Sequence, residues 1–198
     1  MPCLLGTNES LGHQEKMLAY LFWHRPYPTV ETGRYEESLL RFQHSLVEHR
    51  PAGLRDVTSY RIPAVPWLGD RGGYEDWCYV EGSWALDILN GFAVAGEVKA
   101  PHDTAAGQME IGHGGLYTLI WGTPNLSSRH AVTWLTRPRG VQWRSALEPL
   151  RTQTPEAVFW RRQMVLGPAP EFAVVVPSGQ QIRVPDGWTG LQVSGERL

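Results

Sequence analysis

Lysine is almost missing from this sequence. It occurs only at positions 16 and 99, and the 198-residue chain carries a formal net charge of −2. No run of basic residues is present either. A protein that binds nucleic acid or an anionic membrane through charge needs a concentrated positive surface. The composition therefore argues against nucleic-acid and membrane partners.

Cysteine is also scarce, with only Cys3 and Cys78. Two cysteines do not make the disulfide framework of a small secreted domain, so we expect a reduced core thiol at Cys78 and a loose N-terminal segment around Cys3. The first 16 residues lack the basic and apolar regions of a signal peptide, and no apolar run reaches transmembrane length. These features predict a cytoplasmic protein.

Aromatic residues, by contrast, are abundant. The chain has nine tryptophans, seven tyrosines and five phenylalanines. Each buries a large apolar area, so a chain of this length can readily build a hydrophobic core. The length suits one ordinary domain or two small units that fold together.

The first half of the chain alternates between strand-like and helix-like segments. The predicted elements are a strand at 17–24, a helix starting at Thr32, strands at 56–62 and 74–81, a helix capped by Ser83, and a strand at 114–122. A short helical piece with Asp103 as its N-cap is expected after Pro101. This β-α-β-β-α-β order is the ferredoxin-like pattern, in which an antiparallel sheet of four strands carries helices on one face.

The second half begins on the same plan. The segment AYLFWHRP at 19–26 is matched by AVTWLTRP at 131–138, and each precedes a predicted helix. Two further strands follow, but the residues after Pro177 are too rich in glycine and proline for another long helix and strand. The predicted organisation is an N-terminal extension at 1–16, a first ferredoxin-like repeat at 17–122, and a second, truncated repeat at 131–198 that packs with the first as one unit.

This order of elements resembles the dimeric α+β-barrel superfamily, and specifically its members that carry both halves in one chain. The resemblance covers residues 17–177 and rests on element order, with no diagnostic motif. It implies an α+β fold in which two ferredoxin-like repeats, the second degenerate, form a pseudo-dimeric barrel. The superfamily includes cofactor-free monooxygenases, haem-binding chlorite dismutase-like proteins, and EthD-like and NIPSNAP-like proteins. The resemblance therefore implies a ligand pocket but names no reaction.

Strand alternation identifies aromatic side chains with polar tips in the first repeat. A cavity for an organic ligand uses such a wall of tyrosine, tryptophan and histidine. The predicted substrate-binding residues are Tyr20, His24, Trp77, Tyr79, Tyr117 and Trp121. The alternative is that these side chains form an aromatic core between two sheets, with their polar tips bonded to neighbours.

Two histidines are the candidates for catalysis. His24 ends the first strand, where the second repeat has Thr136, and His113 lies in the glycine-rich segment GHGG. Histidine titrates near neutral pH and can act as acid, base or ligand. The alternative for His24 is a structural residue hydrogen-bonded to a turn. Its neighbour Arg25, like the matching Arg137, either binds a substrate carboxylate or holds the strand-to-helix turn.

The sequence assigns no cofactor. His102, Asp103 and His113 do not have the spacing of a metal site, so no metal is expected. In chlorite dismutase-like proteins the axial haem ligand is a histidine of the second repeat. This chain has no histidine after His130, which opens the first strand of that repeat. The departure argues against haem and leaves only His24 or His113 of the first repeat as a ligand for a haem-binding, chlorite dismutase-like alternative.

Two hypotheses for function follow. The first is a protein that binds a small organic molecule in an aromatic-lined barrel pocket, with a cofactor-free enzyme as its catalytic form. The second is a non-catalytic protein whose tryptophan-rich surfaces mediate self-association, with the same residues as its core. Long strand edges and many aromatic residues are typical of a homo-oligomer. Neither the ligand nor the reaction class follows from the sequence.

Overall fold

The computed structural model describes residues 17–125, 130–165, 168–177 and 179–198. In its first half the elements follow the predicted order. Its elements are β1 (Leu18–Pro26), α1 (Thr32–His49), β2 (Leu54–Ile62), β3 (Gly73–Val80), α2 (Trp84–Ala93), α3 (Gly96–Ala106) and β4 (Met109–Trp121). The strands lie in the order β4-β1-β3-β2, and every neighbouring pair is antiparallel. This is the ferredoxin-like arrangement. The predicted N-terminal extension at 1–16 lies outside the described residues.

The second half has the same strand order. Its elements are β5 (His130–Thr136), α4 (Trp143–Gln153), β6 (Val158–Val165), β7 (Phe172–Pro177) and β8 (Thr189–Ser194). In the sheet they lie in the order β8-β5-β7-β6, so β8 takes the place that β4 has in the first unit. For the residues after Pro177 the sequence predicts short strands and turns, and β8 is such a strand of six residues. Between β7 and β8 the described residues contain no helix, so α4 alone covers the second unit in the described ranges.

The two units join through their edge strands into one sheet, to which the described residues contribute nine strands. β4 pairs with β6 in the middle of the sheet. At its end the chain leaves β8, passes Gly195, and adds β9 (Glu196–Arg197) to the outer edge of β2. Because β8 and β9 are consecutive, this step brings the two ends of the sheet together in a nearly closed antiparallel barrel. A Cβ on Gly195 would lie 2.8 Å from the Cβ of Tyr60, so the crossing favours glycine.

The third helix starts earlier than the sequence predicts. α3 begins at Gly96 and continues through Pro101. The prediction that Asp103 caps this helix is therefore wrong: Asp103 lies in the last turn, and its carboxylate bonds to Lys99 one turn earlier. Pro101 has no backbone N–H and therefore removes one hydrogen bond of the helix, but the turn before it is already helical and the helix continues.

None of the helices in the described ranges is long and apolar enough to cross a membrane.

Tryptophans dominate the interior of the barrel. Along β1, Leu21 and Trp23 point into the barrel, whereas Tyr20 and Phe22 face the helices. The tryptophans that pack against one another inside are Trp23, Trp67, Trp77, Trp134 and Trp160, with ring centroids between 5.3 and 6.2 Å apart. Most of these pairs meet edge to face, which adds to the gain from burial. Because Trp134 and Trp160 come from the second unit, the cluster ties the two units together.

A carboxyl group lies inside this tryptophan cluster. Glu75 of β3 is 2 % exposed. Its two oxygens accept hydrogen bonds from the indole N–H groups of Trp77 at 2.6 Å and Trp23 at 2.8 Å. Burial disfavours the ionised form and raises the pKa of Glu75 to about 7, although the two indole bonds act in the opposite direction. Glu75 therefore titrates near neutral pH in the folded protein.

We expect Glu75 to make the free energy of unfolding depend on pH. The folded protein keeps the Glu75 proton up to about pH 7, whereas the unfolded chain releases it near the ordinary pKa of 4.5. The folded state therefore binds more protons in this window, so Glu75 lowers stability as pH rises through it. The loss is about 3 kcal/mol, and it is complete above the folded pKa. Glu75→Gln should remove this pH dependence, which urea unfolding at a series of pH values measures.

Glu81→Gln is the matched control for this measurement. It removes a partly exposed carboxylate that pairs with Arg55 just after β3, and it leaves the tryptophan cluster intact. The difference between the two variants isolates the buried group. A pH dependence that is the same in Glu75→Gln and in the wild type would contradict the raised pKa.

Candidate functional site

A cavity of about 450 Å³ lies between the sheet of the first unit and its three helices. β1, β3 and β4 form its floor, and α1, α2 and α3 form its walls. Most of the lining is apolar, and Met164 of β6 adds a side chain from the second unit. The polar or titratable side chains that line it are Tyr20, His24, Asp76, Cys78, Asp87, Asn90 and His102. An apolar wall with a few convergent polar groups is the usual form of a small-molecule site.

The strand registers explain which side chains reach the cavity. Tyr20 lies opposite Cys78 across β1 and β3, and Phe22 lies opposite Asp76, so all four are on the helix side of the sheet. β4 contributes glycine on this face. A Cβ on Gly114 would come within 3.0 Å of the Tyr20 hydroxyl. The missing side chain therefore gives Tyr20 the room to lie across the strand.

A chain of hydrogen bonds crosses the floor of the cavity. Gln43 of α1 donates to the hydroxyl of Ser59, and Ser59 donates to one carboxylate oxygen of Asp76. The other oxygen of Asp76 lies 3.0 Å from Nε2 of His24. Nδ1 of His24 lies 2.7 Å from the hydroxyl of Tyr35. These side chains come from α1, β1, β2 and β3, so the bonds also hold the four elements together.

The hydrogen bonds of His24 involve both of its ring nitrogens. A carboxylate only accepts hydrogen bonds, so Nε2 of His24 donates to Asp76. Burial raises the pKa of the Tyr35 phenol far above its ordinary value, so its hydroxyl keeps the proton. In the neutral tautomer that carries its proton on Nε2, Nδ1 accepts a hydrogen bond from this hydroxyl. The imidazole ring is fully buried and stacks on Phe22 and Tyr74, at centroid distances of 5.4 and 5.6 Å. Both of its nitrogens are thus occupied.

Two more groups on the floor are uncharged near neutral pH. Burial raises the pKa of the Tyr20 hydroxyl and of the Cys78 thiol, and the negative charge of Asp76 adds to both effects. Cys78 is a free thiol. Because the thiolate is the nucleophilic form of cysteine, Cys78 serves as lining and not as a reactive group.

A second histidine borders the cavity on its more exposed side. His102 of α3 lies beside Phe42 of α1, with ring centroids 5.4 Å apart, and its side chain is 31 % exposed. Nδ1 of His102 lies 3.0 Å from a carboxylate oxygen of Asp103. Hydrogen bonds from Lys99 and, to a lesser extent, His102 lower the pKa of Asp103. Asp103 is therefore ionised, and it orients the His102 ring.

The structure divides the predicted substrate-binding residues between the two sides of the sheet. Tyr20 and His24 line the cavity, whereas Trp77, Tyr79 and Tyr117 lie in the barrel interior. Alternation sorts the residues of one strand into two faces, but it does not show which face of the next strand lies on the same side. In the observed register, even-numbered residues of β1 pair with even-numbered residues of β3. Because of that register, Trp77 and Tyr79 of β3 lie on the barrel side of the sheet.

The remaining predicted residues also lie apart from the cavity. Trp121, at the end of β4, packs with Trp143 in the outer core of the second unit. His113 lies opposite Trp23 in the register of β1 and β4, so its half-buried side chain is on the barrel side of the sheet. His24 and His113 are therefore on opposite sides and do not act together on one ligand.

Several residues of the site have no clear signal in the sequence. Tyr35 belongs to the apolar stripe of α1, and Asp76 lies on the polar side of a strand pattern, so neither position marks a partner of His24. His102 has a clearer signal in the sequence, because it stands beside Asp103 in a polar segment. The spacing of His102, Asp103 and His113, however, does not fit a metal site. In the part of the chain that the structure describes, no three histidine, cysteine or acidic side chains are grouped to hold a metal ion.

The two arginines shared by the half-sequences each donate to one carboxylate and one loop carbonyl. Arg25 donates through Nε to Glu110 at 3.0 Å and through a terminal nitrogen to a loop carbonyl. Arg137 donates through Nε to Glu171 at 2.8 Å and, likewise, to a loop carbonyl. The contacts of Arg137 favour the interpretation that it holds the turn between β5 and α4. Arg25 instead ties the end of β1 to β4 and to the loop between β2 and β3.

Solved structures with the same fold extend over nearly the whole chain. A candidate monooxygenase from Lactobacillus acidophilus NCFM matches with a TM-score of 0.55 and 7 % identity, over 93 % of this chain and 100 % of that one. A candidate monooxygenase from Fusobacterium nucleatum matches with a TM-score of 0.53 and 6 % identity, over 91 % and 76 %. A mutant chlorite dismutase from Candidatus Nitrospira defluvii, in complex with cyanide, matches with a TM-score of 0.51 and 12 % identity, over 90 % of each chain.

Identities this low show the fold alone. No family model matches the chain, and no curated protein matches it. The protein has the ferredoxin-like fold of the dimeric α+β barrels, with both units in one chain. The predicted α+β fold class and the predicted resemblance to that superfamily are confirmed.

The residues of the second unit do not supply the haem ligand that the resemblance implies. The helix side of its sheet is filled by apolar side chains such as Leu135, Leu147 and Phe172. No histidine follows His130 in the chain. In the first unit, both ring nitrogens of His24 are already bonded. The axial position of the chlorite dismutase-like proteins therefore has no counterpart among these residues.

We expect Tyr35→Phe to destabilise the folded protein by about 1–3 kcal/mol, because it leaves the buried Nδ1 of His24 without a donor. Tyr74→Phe is the matched control. The Tyr74 hydroxyl bonds to Glu36, and Arg61 still pairs with that carboxylate in the variant, so the loss should be clearly smaller. Urea unfolding compares the two variants. Equal losses would argue against a buried bond between Tyr35 and His24.

Proposed function

We propose that this protein binds a small, largely apolar organic molecule in the cavity of the first unit. The observation that carries the proposal is the cavity itself, with its volume of about 450 Å³ and its mostly apolar lining. Protein interiors are close-packed, so packing alone does not call for a space of this size. The volume lies within the range of sites for drug-sized molecules. The cavity lies on the helix side of the sheet and not in the barrel, which is filled by tryptophans.

If the bound molecule also reacts in this cavity, the protein is a cofactor-free enzyme. The titratable side chains of His102 and Asp76 border the same space as the apolar wall. Proteins of the same fold include candidate monooxygenases, but at 6 and 7 % identity they supply neither a substrate nor a reaction for this chain. An absorbance spectrum of the purified protein tests this part directly, because a haem or flavin band would overturn it.

Ala106→Trp should abolish ligand binding, since Ala106 of α3 lines the cavity and an indole there would fill much of it. Ala100→Trp puts the same side chain on an exposed position of the same helix and should leave binding unchanged. The probe is N-phenyl-1-naphthylamine, an uncharged fluorophore that emits more strongly in apolar surroundings. Fluorescence titration gives its Kd for the three proteins. A ligand that binds the folded state alone should also raise the Tm of the wild type and of Ala100→Trp.

Two results would count against the proposal. One is the lack of saturable binding to the wild type. The other is binding that Ala106→Trp leaves unchanged while its circular dichroism spectrum shows a folded protein, because the probe would then bind elsewhere.

Self-association without catalysis is the second candidate function. Trp84 and Ile88 lie one turn apart on α2 and are 41 % and 39 % exposed. Apolar side chains grouped on a surface are typical of protein interfaces. On this hypothesis the homo-oligomer forms through the outer side of α2.

The double substitution Trp84→Ser and Ile88→Ser should weaken self-association if α2 forms the contact. The control is Leu191→Ser on β8, which removes another large apolar side chain that is 37 % exposed. Sedimentation equilibrium over a range of protein concentrations measures the association constant. A wild-type protein that stays monomeric at every concentration would rule out this second function.

A further inference from the structure

We propose that His102 is the acid–base residue of the cavity and that it exchanges a proton with a weakly acidic hydroxyl group of the bound molecule. This inference rests on the proposed function, since it needs a ligand in the cavity. It also names the class of ligand, an apolar molecule that carries a phenol or a similarly acidic hydroxyl.

His24, which the sequence favours, is not available for this role. Its Nε2 donates to Asp76 and its Nδ1 accepts from Tyr35. The ring is fully buried. Proton transfer between a ligand and either nitrogen would break a buried hydrogen bond and leave the partner of that nitrogen unpaired. His24 therefore shapes the floor of the cavity and does not react.

His102 has the opposite arrangement. Its Nδ1 is bonded to the ionised Asp103, so Nδ1 carries the proton and Nε2 of the neutral ring carries the lone pair. No group in the described ranges forms a hydrogen bond with this Nε2. The ring borders the cavity and is accessible, with 31 % of the side chain exposed. Among the two histidines of the cavity, this is the one with a nitrogen left for a ligand.

The charges around His102 favour a neutral ligand. Asp103 and Lys99 lie on its own helix, Asp87 borders the cavity from α2, and Asp76 borders it from β3. α1 contributes apolar side chains at this wall. No lysine or arginine is among the described residues that line the cavity. A carboxylate or a phosphate ester would enter without a fixed positive charge to pair with it, whereas a neutral hydroxyl compound needs none.

The proposed step is a proton transfer from the hydroxyl group of the ligand to Nε2 of His102. The O–H bond of the ligand breaks, its electron pair stays on the oxygen, and the proton bonds to the lone pair of Nε2. The imidazolium that results is paired with Asp103 through Nδ1 and with the ligand oxyanion through Nε2. The reverse transfer restores both partners. Asp103 is a positioning residue in this scheme, since it acts through His102.

Two matched probes test the proposal. 4-Nitrophenol has an acidic hydroxyl whose ionisation is visible by absorbance, and 4-nitroanisole has the same ring with the hydroxyl methylated. In the wild type, we expect bound 4-nitrophenol to ionise about one pH unit below the free compound, which is a tenfold change in its ionisation constant. His102→Gln should abolish this shift while it still binds 4-nitroanisole.

His49→Gln is the matched control variant. His49 is also 31 % exposed, and its Nε2 lies 2.9 Å from Glu97, but it does not line the cavity. The shift should persist in this variant. Binding of both probes without a shift in the wild type, or with the same shift in His102→Gln, would overturn the role of His102 and leave ligand binding intact. Failure of both probes to bind the wild type would count against the proposed function itself, and the role of His102 would fall with it.

Discussion

Inside the barrel, the carboxyl group of Glu75 accepts hydrogen bonds from one indole on β1 and one on its own strand, β3. Trp23 and Glu75 are direct partners in the antiparallel register, so this contact specifies how β1 and β3 align. The next residue along each strand, His24 and Asp76, then faces the helices and enters the cavity floor. A slip of one residue would exchange the two faces and leave Asp76 among the tryptophans. One register therefore builds both the core of the barrel and the site.

The two units use the same strand order for different purposes. In the first unit, three helices stand over the sheet and leave a cavity with polar groups on its floor and at its exposed side. In the second unit, the described residues place α4 alone over the sheet, and apolar side chains fill the space beneath it. Arg25 and Arg137 each donate to one glutamate and one loop carbonyl, but Arg25 holds the loop between β2 and β3, whereas Arg137 holds the turn between β5 and α4. The two units therefore share the order of their strands, and they differ in whether the helix side of the sheet leaves space for a ligand.

The fold could be predicted further than the site because its signals are local. Periodicity and the placement of proline and glycine give the order of elements, but they do not give every boundary, and Pro101 within the helix hides the start of α3. The face shared by Tyr20 and His24 also follows from alternation within one strand. Their partners do not: Asp76 reaches His24 through the register of two strands, and Tyr35 reaches it through the packing of α1. Neither of these is encoded in the spacing of a single segment.

The short β9 strand has a consequence for how the chain folds. It pairs Arg61 with Glu196, which are 135 positions apart, so this pair closes a very long loop and forms only after most of the chain is in place. A chain that has folded its first unit alone exposes two strand edges, β2 and β4, and both are open to pairing with another copy. Exchange of second units between two such chains would rebuild the same barrel as a domain-swapped dimer. The ion pair and backbone bonds of β9 would form in either arrangement, so closure within one chain is favoured by the covalent link that keeps its two units close together.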